Sequence, residues 1–215
     1  MESPVRRELI VADDVAAEAE RLFLALQPRT VALAGGSTPR PLYERLARAD
    51  HRWGETEVFF GDERCVPPDH PASNYRMAYE SLLSHVAARV HRMPGEACDA
   101  AAYERELDAV FGPGFPRFGL VLLGLGDDGH TASLFPGDPA LDVTDRRVAR
   151  VQRPDYSRLT LTLPVLSAAT AAMFLVSGEG KRVALHRLLE VGDVPAARVA
   201  AARVIVVADG DAAGR

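Results

Sequence analysis

The chain has 215 residues, 47% of them hydrophobic, and a formal net charge of -5 at pH 7. That is enough apolar material for one sizeable α/β domain over residues 1–215. The acidic balance excludes a surface built to coat nucleic acid or an anionic membrane, though it allows a local basic pocket.

The opening stretch MESPVRRELIVADD holds only a short apolar run, residues 9–12, before two aspartates. It is too short for a signal-peptide core or a membrane span, so a cytoplasmic location is expected. Residues 5–26 supply a first strand and helix. TVALA (30–34) reads as a buried strand, followed by GGSTP (35–39) and helical spacing over 41–49. EVFF (57–60) is the next strand, with GDER (61–64) behind it. Helical patterns follow over 75–88, with Asn74 as a plausible cap, and over 100–111. LVLL (120–123) leads into GDDGH (126–130), LTLTL (159–163) is a further strand, and AMFLV (172–176) leads into SGEGK (177–181). A helix over 181–190 and the strand VIVV (204–207) complete the series. Short apolar runs alternating with helical patterns predict β-α-β units: a largely parallel, Rossmann-like sheet with helices on both faces, in three layers. No segment has the length or polarity of an interdomain linker.

GGST, GDER, GDDGH and SGEGK all lie at the carboxyl ends of predicted strands, where open parallel sheets bind their ligands. Gly35, Gly36, Ser37 and Thr38, with Pro39 behind them, have the make-up of an anion cradle, and phosphate is its natural ligand. An ordinary helix start has the same residues. Arg64 can hold a carboxylate, a phosphate or a developing oxyanion through paired donors, and Arg158 and Lys181 can complete a phosphate site. As surface cations these three need no explanation.

Gly124-x-Gly126-x-x-Gly129 has the spacing of a dinucleotide-binding turn, but Asp127 and Asp128 oppose a pyrophosphate and Pro136-Gly137 leaves little room for the helix that follows such a turn. His130 is instead the best general-base candidate, because histidine exchanges a proton near neutral pH and Asp128 is near enough to orient its ring. Cys65 and Cys98 form no CxxC pair and no metal set with the histidines. No disulfide is expected, and Cys65 reads as a small packing residue. Phosphate cradle, basic clamp and histidine base together point to proton-transfer chemistry on a small phosphorylated substrate.

ALAGGSTPRPLYERL (32–46), FFGDERCVPPDHPASNYRMAYESLL (59–83), LLGLGDDGHTASLFPG (122–137), RLTLTLPVL (158–166) and FLVSGEGKRVAL (174–185) resemble the 6-phosphogluconolactonase family, in the family's order. The resemblance implies the fold of the glucosamine-6-phosphate deaminase and ribose-5-phosphate isomerase superfamily. It also implies hydrolysis of 6-phospho-D-glucono-1,5-lactone, by a monomer without metal or organic cofactor. It assigns His130, Asp128 and Arg64 to catalysis. Gly35, Gly36, Ser37, Thr38, Asp62, Arg158 and Lys181 fall to the substrate, with Asp62 against sugar hydroxyls. The rivals are a deaminase or isomerase on the same fold, which resembles this chain less because Phe135 stands where deaminases carry a glutamate, and a non-catalytic sugar-phosphate-binding module. The last segment, VIVVADGDAAGR, lacks the family's frequent tryptophan, which bears on the final helix rather than on the catalytic edge.

Overall fold

The computed structural model describes residues 6–215; residue 5, the first of the predicted opening strand, lies outside them. The apolar runs form an open sheet of seven parallel strands. In chain order these are β1 (Arg7–Val11), β2 (Thr30–Leu33), β3 (Glu57–Phe60), β5 (Arg89–Val90), β6 (Leu120–Gly124), β9 (Ala171–Val176) and β10 (Arg203–Ala208), arranged β1-β10-β9-β6-β2-β3-β5. β9 is buried along its whole length, as a strand covered on both faces must be, and its continuous apolar sequence AAMFLV suits that position.

After β2 the chain moves outward through β3 to β5; after β6 it moves the other way through β9 to β10. β2 and β6 are neighbours, so the order reverses between them and a crevice opens beyond their carboxyl ends. GGST leaves β2 there and GDDGH leaves β6.

The flanking helices are α1 (Val15–Leu26), α2 (Arg40–Leu46), α3 (Asn74–Ser81), α4 (Ala100–Phe111), α5 (Leu163–Ala168), α6 (Arg182–His186) and α7 (Gly210–Ala213). Tyr43 of α2 pins the end of β2, since its hydroxyl receives the Ala34 N–H at 2.9 Å and donates to the Ala34 carbonyl at 2.8 Å. Full burial pushes that phenol far above its ordinary range.

The structure corrects several expectations. LTLTL does not join the parallel sheet: β8 (Arg158–Leu161) is the middle of a three-stranded antiparallel sheet, between β4 (Asp62–Arg64) and β7 (Val148–Val151). GDER is thus itself part of a strand. A short strand segment does not fix its own direction, which is set by partners remote in sequence. α3 stops at Ser81 rather than 88, and the chain turns through Leu83–His85 into β5. Ser73, not Asn74, caps α3, its Oγ accepting from the Arg76 N–H at 3.1 Å. Cys65 and Cys98 are joined in a disulfide, Cα atoms 5.0 Å apart. The residues lie 33 apart in sequence, and only the packing of the 95–98 turn on the end of β4 brings them together.

Candidate active site

The turn after β6 closes on itself. The Gly129 N–H donates to the Gly126 carbonyl and the Gly126 N–H to the His130 carbonyl, each at 2.9 Å. Thr131 Oγ1 donates to the Gly124 carbonyl at 2.9 Å. Asp128 Oδ1 accepts from the His130 backbone N–H at 2.9 Å and lies 2.6 Å from Nδ1 of its ring. That carboxylate fixes the ring and makes Nδ1 the protonated nitrogen, leaving Nε2 to accept a proton. Gly126 is required by the ring itself: a methyl group there would stand 2.0 Å from Nδ1. Burial works to raise the Asp128 carboxyl, but the backbone and ring hydrogen bonds from His130 and the charge of that ring outweigh it, holding it below the ordinary carboxylate range.

Phe135 packs on the imidazole with ring centroids 4.4 Å apart, and the Arg153 guanidinium lies 4.1 Å from the Phe135 centroid. An apolar ring therefore covers one side of the imidazole, with a guanidinium beyond it.

β4 and β8 supply two cations. Arg64 and Arg158 stand directly opposite in the antiparallel register, an arrangement that repels unless an anion lies between or beside them. Arg64 Nη1 donates to the Ala72 carbonyl at 2.8 Å and Arg158 Nη2 to Asp155 at 2.6 Å, while the Nε of each is buried without a partner among the described residues. Such a pair is poised for a negatively charged ligand.

Buried polar residues hold this edge together. Glu63, 2% exposed, accepts from the N–H groups of Arg64, Asn74 and Tyr75 and from Ser73 Oγ, so it fastens β4 to the start of α3. Burial outweighs those bonds and raises its carboxyl above the usual range. Asp62, 6% exposed, accepts from Asn74 Nδ2 at 3.1 Å and from Ser133 Oγ at 2.6 Å, tying β4 to the segment just after His130.

These elements enclose a cleft of 330 Å³ lined by Gly35, Gly36, Ser37, Thr38, Asp62, Arg64, His130, Arg158 and Lys181. Every residue read from the sequence as a site candidate is there except Asp128, which stands behind His130 and orients it. Among the described residues, Gly36, Ser37 and Thr38 use neither backbone N–H nor hydroxyl in a protein hydrogen bond, so this loop offers idle donors to the cleft. Sequence reasoning missed Asn74, Ser133 and Phe135 as parts of the site. Asn74 read only as a cap, no local signal marks Ser133, whose partner Asp62 lies on another strand, and Phe135 read only as the residue standing where deaminases carry a glutamate. It also missed Asp209, which accepts from Ser177 Oγ and from the Gly178 N–H and so anchors the turn carrying Lys181. The C-terminal segment therefore does reach the edge that carries the candidate site.

An open parallel sheet with an Asp–His pair and a loop of idle donors at its switch point defines an α/β class whose ligand site lies at the strand ends, and comparison with known proteins gives the family. Residues 6–207 match the model described as glucosamine-6-phosphate isomerases/6-phosphogluconolactonase, and the chain belongs to that family. A 6-phosphogluconolactonase of Synechocystis sp. is 44% identical over 197 residues, covering 86% of this chain and 82% of that protein. The solved 6-phosphogluconolactonase from Trypanosoma cruzi superimposes with a TM-score of 0.88 at 26% identity, over 99% of this chain and 98% of that one. A monomeric glucosamine-6-phosphate deaminase shares the fold, with a TM-score of 0.81 at 22% identity over 97% of this chain and 99% of that one.

Proposed function

We propose that the cleft divides the labour of one reaction, the hydrolysis of 6-phospho-D-glucono-1,5-lactone to 6-phospho-D-gluconate, between a catalytic side and a binding side. The observation that carries this reading is His130, oriented by Asp128 from behind, in the same cleft as the cradle and cations, Nε2 of its ring without a partner among the described residues.

His130 Nε2 takes a proton from water as the water oxygen adds to the lactone carbonyl carbon. Asp128 stabilises the imidazolium that results. Charge moves onto the carbonyl oxygen, and the Arg64 guanidinium is the group suited to receive it. Collapse of the tetrahedral intermediate breaks the bond to the ring oxygen, which accepts the proton held by His130, regenerating the neutral base. Gly36, Ser37, Thr38, Arg158 and Lys181 bind the phosphate, and Gly35 brings the chain to it. Anchoring the phosphate fixes the carbonyl against base and cation, which turns binding into orientation. Asp62 lines the cleft and is held by Asn74 and Ser133, one on each carboxylate oxygen, which leaves it acceptor sites for sugar hydroxyls.

The test is hydrolysis of freshly generated lactone at mildly acidic pH, where spontaneous opening is slow, by wild type and His130→Ala beside an enzyme-free control. Wild type no faster than the control would remove the assignment. His130→Ala with wild-type kcat would remove the base. On the same reading the chain is a single domain that acts in the cytoplasm as a monomer, without nucleic acid; among the described residues no helix is long and apolar enough to cross a membrane. Sedimentation equilibrium checks the oligomeric state.

A further inference from the structure

Of the two acids in GDDGH, Asp128 orients the base and Asp127 has no part in the chemistry above. Its Oδ1 lies 2.5 Å from Lys181 Nζ. The two differ in setting: the Asp127 side chain is 77% exposed and the Lys181 side chain 27%. Lys181 lines the cleft and Asp127 does not, so Asp127 reaches the ligand space only through that ammonium.

Asp127 is not needed to place the lysine backbone. The turn carrying Lys181 is fixed by Asp209 through Ser177 and Gly178, by the Lys181 N–H donating to the Gly178 carbonyl at 3.0 Å, and by the Arg182 guanidinium donating to the Asp211 carbonyl. Glu179, the other acid on this turn, pairs with Arg182. What Asp127 adds is a negative charge on the one cation of the cleft that has a flexible stem and rotatable donors. Beside an anion site, such a carboxylate opposes the anion.

We propose that Asp127 is a specificity-determining counter-ion: it holds the Lys181 ammonium while the cleft is empty and is displaced from it by a dianionic phosphate ester in preference to a monoanion. The proposal rests on reading Lys181 as a phosphate contact. The exchange has a low barrier on the protein's side, because an exposed ion pair contributes little to stability. A phosphate dianion carries twice the charge of the carboxylate and offers several acceptor oxygens, with the idle donors of 36–38 waiting for the rest of them. A monoanion competes with Asp127 on equal charge and gains far less.

This role has a sign that a positioning role does not share. Steady-state hydrolysis would be compared for wild type, Asp127→Asn, Asp127→Glu, Lys181→Ala and the Asp127→Asn/Lys181→Ala double variant, at low and high salt, with inorganic phosphate and acetate as competing anions. Asp127→Asn should lower KM for the phosphorylated lactone roughly two- to fivefold, the size of an exposed ion pair. It should also make acetate a measurable inhibitor. The effect should shrink at high ionic strength, be absent in the Lys181→Ala background, and be restored to wild type by Asp127→Glu. An Asp127→Asn enzyme with unchanged KM and unchanged response to acetate overturns the proposal, and one with raised KM shows Asp127 to be a positioning residue instead. If Lys181→Ala itself leaves KM unchanged, the reading of Lys181 falls and takes the proposal with it; if Lys181→Ala raises KM while Asp127→Asn is inert, the proposal alone falls.

Discussion

The turns that leave β2 and β6 are neighbours on one sheet edge and both are rich in glycine, yet they use their hydrogen-bond donors in opposite ways. In the β6 turn the donors are engaged internally: Gly126, Gly129, the His130 backbone and Thr131 all bond within the turn or to the strand end. In the β2 turn the N–H and hydroxyl groups of residues 36–38 have no hydrogen-bond partner among the described residues. Internal closure gives a side chain one orientation, which a proton-transfer group needs. Idle donors give a surface that is satisfied only by a ligand, which an anion site needs. On the proposed reading, the same composition thus serves chemistry in one turn and binding in the other.

The sharpest way to break the contrast is to remove the side chain that the closed turn exists to hold. His130→Ala should lower kcat by about 10²- to 10⁴-fold, the range of a general acid-base group, with KM nearly unchanged. A loss expressed mainly in KM would show that the β6 turn also binds, and the division would not hold.

Glycine-to-alanine substitutions in the two turns come next in size and separate them directly. At Gly126 the added methyl meets the His130 ring at 2.0 to 2.7 Å, so the imidazole must swing away from Asp128. We expect kcat to fall roughly tenfold or more, as misplacement of a catalytic group does. At Gly36 the methyl meets no atom within 4 Å, and the obstacle is only the backbone φ of +95°. Gly36→Ala should therefore cost about 1–2 kcal/mol of strain, seen as a lower melting temperature and a raised KM, with kcat retained. Equal loss of kcat in both variants would refute the contrast.

Much of this site was legible because its polar residues are local to strand ends: GGST, GDER, GDDGH and SGEGK each follow an apolar run, and an open sheet collects such ends at one edge. The Asp128–His130 pair was readable for the same reason, two residues apart within one turn. What was hidden depended on long-range partners. The antiparallel pairing that sets Arg64 against Arg158 cannot be read from LTLTL, because the partners that fix it, β4 and β7, lie far off in sequence. The Cys65–Cys98 bond, the Ser133–Asp62–Asn74 network and the reach of Asp209 to Ser177 all join segments from 12 to 71 residues apart. Asn74 looked like a cap because Asn suits one, but Ser73 takes that place and the amide turns inward to Asp62.

The smallest expected effect concerns the charge within the closed turn. Asp128 titrates below an ordinary aspartate in the folded protein, because the hydrogen bonds and charge of His130 overcome the opposing effect of burial. A carboxyl depressed in the native state stabilises the fold at pH above its unfolded value, near 3.9, and loses that contribution as pH falls from there through the native value. Asp128→Asn keeps an acceptor oxygen for the His130 N–H and deletes only the charge. Thermal melts of wild type and Asp128→Asn should therefore differ at neutral pH, with wild type the more stable, and converge as the pH is taken below about 4. The side chain is 48% exposed, so screening makes the gap modest, and it should narrow further in high salt. A gap that stays constant down to pH 3 would mean that Asp128 acts through shape alone, and the closed turn would then owe its rigidity to its glycines and backbone bonds rather than to the carboxylate.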